Sequence, residues 1–429
     1  MTSPMDPEED NSNLVSSSGS SPVLFADPES DVLQVLPTKT TTEIRTQRRR
    51  VPLEPFVHQV GGHFPMVCLA KETLCKPLNE REHKFYKTLG KSLIPFVPRY
   101  EGTMRVEVHE DDLGYITLTG HPPPNFKTSR KYSIHHQMFQ LHHKGDSVSR
   151  SKSRSTLSIH SKDDESECNF EDEVGSSTSG SEEVFCNPWA LKCHRDHLKK
   201  LGLLTLGPST SSRLEENHQK VCKKPQNYLL LENLVSRYKY PCILDLKVGT
   251  RQYADDVSAA KKARKIAKTQ STTSASLGLR LTGMQVHDPD SGNYICRNKY
   301  FGRSLNQESF IDTIEDFFKS CNDSMDEERY IRLDIIAKVV TTIEELITVL
   351  NKLETYRFYT ASLLVTYDGG DCSGQNPAQY DIRMIDFAHS THKGLRDEVI
   401  HEGPDLGFIQ GLRSLVQILE KIMQKHHHT

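Results

Sequence analysis

The stretch Pro-Cys-Ile-Leu-Asp-Leu-Lys-Val-Gly-Thr at 241–250 constrains this chain more than any other. Cys242–Leu244 form a short apolar run with the character of a buried strand. Side chains alternate along a strand, so Asp245 and Lys247 share one face and Leu244 and Leu246 the other. A carboxylate and an ammonium therefore stand together on the side away from the core. Gly249 then marks a turn or a close backbone approach. The segment 256–269 reads as a helix favoured by Ala259, Ala260, Ala263 and Ala267. Lys261, Arg264, Lys265 and Lys268 recur on it at spacings of three and four and share a face, where like charges repel by roughly a few tenths of a kcal/mol per pair. Such a stripe is usually a solvated face, sometimes a nucleic-acid or nuclear-import patch. Its position directly after the strand carrying Lys247 favours a small polyanion instead. An acid, a lysine and a cluster of cations point to a phosphate-rich ligand.

The chain has 429 residues but only 35% hydrophobic content, low for a compact protein of this length. Two stretches account for that. Residues 1–50 are rich in Ser, Pro, Thr and acids and read as a disordered tail. Residues of about 127–183 form a Ser- and acid-rich insertion too long for a packed loop, with serines that phosphate could modify. Either could recruit protein partners. The formal net charge of −3 is unevenly spread, with an acidic block near 163–183 and basic clusters at 45–50 and 261–268. Ten irregularly spaced cysteines and the lack of an N-terminal apolar signal point to a reduced intracellular compartment. Arg45 and Arg48–Arg50 add nuclear residence to cytoplasmic, although the solvated end of a tail is the favoured reading of that run. No apolar run is long enough to span a bilayer.

In chain order, Phe56–Val60 reads as a strand entering the turn at Gly61-Gly62, with Met66–Leu69 returning. The two glycines suit a hairpin turn, or an approach of backbone N–H groups to phosphate. Lys76 ends a further strand, and Glu82 lies at the start of a helix over 81–86. A strand lysine followed by a helix glutamate is the kinase arrangement in which the acid orients the lysine on nucleotide phosphates. Cys186, Cys193, His194 and His197 do not match the usual zinc spacings. Asn187-Pro188-Trp189 reads instead as a helix start with Trp189 packed on the core. Tyr228–Leu231 is a buried strand ending at Glu232-Asn233-Leu234. Leu279–Val286 alternates as a strand and returns through a turn at 288–292 to Tyr294–Cys296. Lys299 and Arg303 follow and either add positive field or serve the fold. Helices over about 307–320, 328–354 and 405–424 carry core residues. Ala361–Gly369 pairs with Tyr380–Ile385, which ends in Asp386, a hard oxygen donor suited to a hard cation beside a triphosphate. His389, three residues on, either touches substrate phosphate or packs.

Pro241-x-x-x-Asp245-x-Lys247-x-Gly249 resembles the signature of the inositol polyphosphate kinases. The text around it resembles the inositol hexakisphosphate kinase branch: LEPFVHQVGGH (53–63), LCKPL (74–78), NPWALKCH (187–194), STTSASLGLRLTGMQV (271–286), CRNKYFGR (296–303) and MIDFAH (384–389). These matches run in one order from about 52 to 420. The resemblance implies an α+β, two-lobed kinase-like fold, with a protein-kinase- or ATP-grasp-like small lobe built on an antiparallel sheet and a larger α+β lobe. The small lobe would occupy 51–231, the hinge 232–234 and the large lobe 235–425. The resemblance further implies ATP and Mg2+ as cofactors. Adenine would lie at Glu232, Asn233 and Leu234, with Lys76 on the nucleotide phosphates, oriented by Glu82. Asp386 would hold the metal with Ser362, from the family's Ser-Leu-Leu motif; Ala361 stands where many relatives carry another serine, so a hydroxyl role there is lost. Lys247 would bridge donor and acceptor. Lys261, Arg264, Lys265, Lys268 and His389 would bind the inositol polyphosphate. Asp245 has two candidate roles, ribose ligand or general base. An anionic phosphate acceptor needs no strong base, which favours the ribose. The implied reaction makes a diphosphoinositol product. A multikinase or trisphosphate 3-kinase acting on a ring hydroxyl shares only the core motif, and a non-catalytic adaptor would not need Lys76, Asp245, Lys247 and Asp386.

Overall fold

The computed structural model describes residues 50–110, 116–124, 126, 185–200, 225–288, 291–320, 330–370 and 379–427. The expected tail and insertion lie outside these residues. All of the described residues fall in one compact unit that begins at Arg48.

Six strands close into a barrel: β1 (Val51–Pro55), β2 (Val67–Ala70), β3 (Thr73–Pro77), β4 (Tyr100–Glu110), β5 (Ile116–His121) and β6 (Gln226–Glu232). The order around the barrel is β1-β2-β3-β6-β4-β5, and β5 pairs back onto β1 through Val51–Gly120 and Leu53–Leu118. Alternate residues fill its interior, among them Val67, Leu69, Cys75, Met104, Val106, Tyr228 and Leu230. Helix α1 (Glu80–Lys87) follows β3, with Asn79 as its N-cap: the Asn79 side chain accepts from the N–H groups of Arg81 and Glu82. A 3-10 turn, η1 (Lys91–Phe96), follows α1.

The second sheet has five strands in the order β13-β12-β7-β8-β9. They are β7 (Pro241–Val248), β8 (Leu279–Asp288), β9 (Asn293–Arg297), β12 (Ser362–Asp368) and β13 (Tyr380–Ile385); β10 (Lys319–Ser320) and β11 (Tyr330–Ile331) form a separate short ladder. β7 lies at the centre, and every residue of it except Lys247 is buried. Leu244 and Leu246 point into the large core shared with Leu281, Leu363, Met384, Phe310, Val339 and Leu415. Asp245 and Lys247 face the other way, as their alternation requires. A smaller apolar group on this side, Phe56, Val60, Leu74, Val235, Tyr238 and Ile243, packs barrel residues against the sheet.

The helices are α2 (Pro188–Lys200), α3 (Ala259–Gln270), α4 (Thr273–Ser276), α5 (Lys299–Ser304), α6 (Gln307–Phe317), α7 (Leu333–Leu350) and α8 (Leu406–His427). Trp189 on α2 is buried, as expected, and its Nε1 donates to the Gly62 carbonyl at 3.2 Å. The basic helix begins at Ala259 rather than 256. Ser258 caps it, with its side chain accepting from Lys261 N–H. α7 is likewise shorter than the apolar pattern implies, with Arg332 as its N-cap.

Candidate active site

One face of the sheet and one end of the barrel bring the titratable residues together. Across β7, Ser362 pairs with Lys247 and Leu364 with Asp245; on the other side Arg280 pairs with Lys247 and Gly283 with Asp245. A register shift on β8 between these pairs places Thr282 at an irregularity. Ile385 pairs with Ser362, so the residue after it, Asp386, emerges beside the same face.

From the barrel comes Lys76, at the end of β3. Its Nζ lies 2.8 Å from Glu82 Oε1 and 2.6 Å from Asp386 Oδ1. Glu82 is only 1% exposed and also accepts the Phe387 N–H at 3.2 Å. One buried carboxylate thus fixes both the lysine and the chain just after Asp386. Asp386 has φ 68°, in the left-handed region. That conformation costs an L-residue about 1–2 kcal/mol, and aspartate tolerates it better than most. The bond from Phe387 N–H to Glu82 helps to hold the turn.

The electrostatics separate the two aspartates. Burial, together with the negative charge of Asp386, pushes Asp245 up to about 7, against the pull of Lys247. Burial acts in the same upward direction on Asp386, but the Lys76 and Lys247 ammonium groups outweigh it and hold Asp386 below the usual carboxylate range. Lys76 is desolvated too, yet Asp386 and Glu82 raise it well above the ordinary lysine value. Lys247 goes the other way: burial lowers it, with Asp386 and Asp245 opposing.

The loop between β1 and β2 covers this face. Buried Gln59 braces it, with Nε2 donating to the carbonyls of Gly61 and Phe64 and Oε1 accepting from Met66 N–H. A Cβ placed on Gly61 would lie 2.6 Å from Asp245 Oδ2 and 3.5 Å from Thr282 Cγ2. One on Gly283 would meet the Val60 carbonyl oxygen at 2.1 Å. Both glycines are there for close approach. Asp245 Oδ1 and Thr282 Oγ1 are buried oxygens without a hydrogen-bond partner, whereas the Ser362 hydroxyl lies close enough to Asp245 to stabilise its charged form. Buried polar atoms are ordinarily paired, so Asp245 Oδ1 and Thr282 Oγ1 leave room for a ligand's donors. Asp386, by contrast, remains 35% exposed at its side chain. As an open carboxylate beside further oxygens, it suits a hard cation. Ser362 is fully buried and lies beside Lys247 on the neighbouring strand.

The cationic group assembles from α3, β8 and the segment after Asp386. Burial lowers Lys265 to about 8, helped by the charges of Lys247, Lys268, Lys261 and Arg280. Burial and Arg303 lower Arg280 to about 10. His389 is depressed by burial and then by Lys261 and Lys265. Arg280 pairs with Lys247 across the strands, and the mutual repulsions put Lys247, Lys261, Lys265, Lys268, Arg280 and His389 within electrostatic reach of one another. Arg264 stands exposed on α3. Arg280 was not singled out in the sequence, though its alternation with Leu279 and Leu281 marks it as facing Lys247's side of the sheet. His63, whose charge acts on Asp386, carried no comparable signal.

The segment joining barrel to sheet is less open than its sequence suggests. Asn233 donates from its N–H to the Glu72 carbonyl and from Nδ2 to the Lys71 carbonyl, both at 2.8 Å, and its Oδ1 accepts from Val235 N–H at 3.3 Å. Glu232 Oε2 accepts from Arg99 N–H at 3.1 Å. Leu234 is buried. Glu232 Oε1 lies 3.6 Å from Arg99 Nη1, so the Asn233 side chain and both Glu232 carboxylate oxygens are spent on the fold. The Cys186–His197 region matches the helical reading: Pro188–Lys200 is α2, with Trp189, Cys193 and His194 buried on it.

The family model described as inositol polyphosphate kinase matches residues 228–420. Inositol hexakisphosphate kinase 1 of Rattus norvegicus is 36% identical over 438 residues, covering 89% of this chain and 96% of the relative. Inositol hexakisphosphate kinase 3 of Mus musculus is 36% identical over 404 residues, covering 87% and 96%. Inositol hexakisphosphate kinase 2 of Homo sapiens is 33% identical over 443 residues, covering 91% and 99%. Among solved structures, inositol phosphate multikinase Ipk2 of S. cerevisiae, in complex with ADP and Mn2+, is 25% identical with a TM-score of 0.39, covering 46% of this chain and 84% of that one; an overlap that loose carries no argument about this site. Identity sustained over almost the full length of the hexakisphosphate kinases makes this chain a member of that branch of the inositol polyphosphate kinase family.

Proposed function

We propose that the protein transfers the γ-phosphoryl group of ATP to a phosphate of inositol hexakisphosphate, forming a diphosphoinositol polyphosphate. The observation that carries this reading is the convergence of Lys76, Asp386, Asp245 and Lys247 next to the cations of α3 and Arg280. A nucleotide end and a polyanion end meet at Lys247. In the two-lobed reading, adenine lies against the 232–234 segment through its backbone, and Lys76 meets the nucleotide phosphates. Asp386 would hold Mg2+, with Ser362 in support. The metal supplies charge neutralisation on the transferred group.

The nucleophile is an acceptor phosphate oxygen that is already anionic. It forms the new P–O bond as the bond between the γ-phosphorus and the β,γ-bridging oxygen breaks, and ADP leaves with that electron pair. No proton has to be removed from the acceptor. Lys247 stabilises charge that develops on the γ-phosphoryl oxygens. Asp245, with one oxygen unpartnered under the Gly61 loop, is suited to accept from ribose hydroxyls. Its elevation to about 7 favours one second reading: a carboxylate so poised is a competent base for a ring hydroxyl, as in a multikinase or trisphosphate kinase.

Incubation with ATP, Mg2+ and hexakisphosphate separates the readings. One added phosphate on a ring without a free hydroxyl must be a pyrophosphate. Turnover of only trisphosphate or tetrakisphosphate would move the protein to the hydroxyl-directed reaction, and no product from any of them would favour an adaptor. Cytoplasmic and nuclear residence belongs to the same proposal, on the strength of the basic run at 45–50 and the irregular cysteines.

A further inference from the structure

Glu82 can orient Lys76 only while α1 keeps its place; the later turns of α1 pack on Tyr100, Tyr356 and Phe358, and its first turn is fastened to the segment that follows Asp386. Phe85 stacks on Phe387 with ring centroids 4.5 Å apart, and its ring meets His392 edge-on. Thr88 Oγ1 lies 3.0 Å from His392 Nε2. Arg81, the residue before Glu82, makes the longest reach. Its Nε donates to the Ser390 carbonyl at 3.2 Å, and its Nη2 to Asp397 Oδ2 at 2.5 Å. The same Asp397 oxygen accepts from the Thr391 hydroxyl. Thr391 is anchored in turn by paired backbone bonds with Arg357, each 2.8 Å. Adjacent residues of one short helix therefore grip the two ends of one segment: Glu82 at Phe387, Arg81 at Ser390 and Asp397.

We propose that Arg81 and Asp397 form a strap that sets the position of the first turn of α1, and through it the registry of Glu82, Lys76 and Asp386. They are positioning residues for the nucleotide-phosphate end of the site. As an isolated ion pair at about 29% and 28% side-chain exposure, the contact would contribute little to stability. Its importance is geometric. The pair closes a ring that runs from Asp386 through Lys76, Glu82 and Arg81 to Asp397 and back along the chain. Without the Arg81 anchor the first turn of α1 can shift against the segment and carry the Glu82 carboxylate away from both Lys76 Nζ and Phe387 N–H. Of the inositol side of the site, α3 and β8 have no member in this ring; only His389 lies on the strapped segment.

The test uses the full chain with Asp397→Asn, Arg81→Gln, and the exchanged pair Arg81→Asp with Asp397→Arg. For turnover it rests on the kinase reading above. The strap predicts that each single variant raises the KM for ATP and the Mg2+ concentration for half-maximal rate about tenfold, the scale expected from sub-ångström misplacement. The KM for hexakisphosphate stays within a factor of about two, and the exchanged pair, which restores the ion pair but not the bonds to the Ser390 carbonyl and the Thr391 hydroxyl, regains part of the loss. Should Asp397→Asn fail to fold, Arg81→Lys, which keeps the charge but loses the planar fork, reads out the same split. An unchanged KM for ATP in Arg81→Gln, or equal rises in both substrates' KM values, overturns the strap. If the wild-type protein gives no product from hexakisphosphate, the kinase reading has failed on its own account. Calorimetric titration of Mg2+-ADP into the same variants then decides the strap: binding about tenfold weaker supports it, and binding equal to wild type overturns it.

Discussion

Asp245 stands where a carboxylate is destabilised when charged. It is 4% exposed, lies close to a second aspartate, and one of its oxygens has no partner. Its folded value of about 7 exceeds the ordinary 3.8, so the folded state holds its proton more tightly than the unfolded one. Stability is therefore lost as pH rises through the interval between those values. Asp245→Asn removes the penalty: thermal unfolding without ligand should show the variant more stable at pH 8 by on the order of a few kcal/mol. The difference should shrink toward zero near pH 4, while turnover at pH 8 falls sharply. A flat difference across that range would argue against a raised Asp245. Lys265 makes the complementary case. Held near 8 by burial and neighbouring cations, it is partly neutral in the free protein at pH 8, and an arriving polyanion pulls its value up. Hexakisphosphate binding should take up protons at pH 8, seen as calorimetric enthalpies that depend on the buffer's ionisation heat, and Lys265→Met should diminish that uptake. Both residues were legible in the sequence as types and faces. Their protonation behaviour was not, because it arises from neighbours such as Asp386 and Arg280 that only the folded sheet brings close.

At the scale of elements, α3 is the clearest link between pattern and function. Its alanines and the Ser258 cap make it a helix, and burial of Lys265 and Lys268 relative to Lys261 and Arg264 gives it an inner and an outer edge. Replacing Lys261, Lys265 and Lys268 together by Gln should raise the KM for hexakisphosphate at least about tenfold and change that for ATP by less than about threefold. Comparable changes in both would refute the division of the site. The glycine loop makes a second prediction. Gly61→Ala would drive a methyl group into Asp245 Oδ2 at 2.6 Å, so steady-state assays should show kcat/KM for ATP reduced by about tenfold or more with the hexakisphosphate KM little altered. The Gly-Gly pair allowed either a turn or a phosphate contact when read alone; what distinguishes the structure is that the loop lies on an acid almost two hundred residues away. The same distance hid the contact of Lys76 with Asp386, separated by 310 positions. Lys76, Glu82 and Asp386 each stood out by the strand or helix end they occupy, but local pattern says nothing about which long-range partners close a ring.

At the scale of the molecule, clustered positive charge gives binding a long-range component. Raising ionic strength from about 0.05 M to about 0.5 M shortens the screening length from roughly 14 Å to roughly 4 Å. The KM for hexakisphosphate should climb steeply over that range while the unfolding temperature, governed by the apolar core, moves little; a KM indifferent to salt would remove the electrostatic account. The strands were largely visible beforehand, whereas the closure of β5 onto β1 was not, since pairing between distant strands leaves no periodicity in either. That closure also bears on how copies of this chain could meet. A hoop of strands offers no seam to an incoming strand, so the barrel cannot template its own extension. The five-stranded sheet does have ends. α7 and η1 lie along β13 at one of them, and β9 forms the other with Ile295 at 37% exposure. Among the described residues, Asn293–Arg297 is thus an outer strand of the sheet whose central strand carries Lys247, and a place where lateral zippering of one molecule to another could begin.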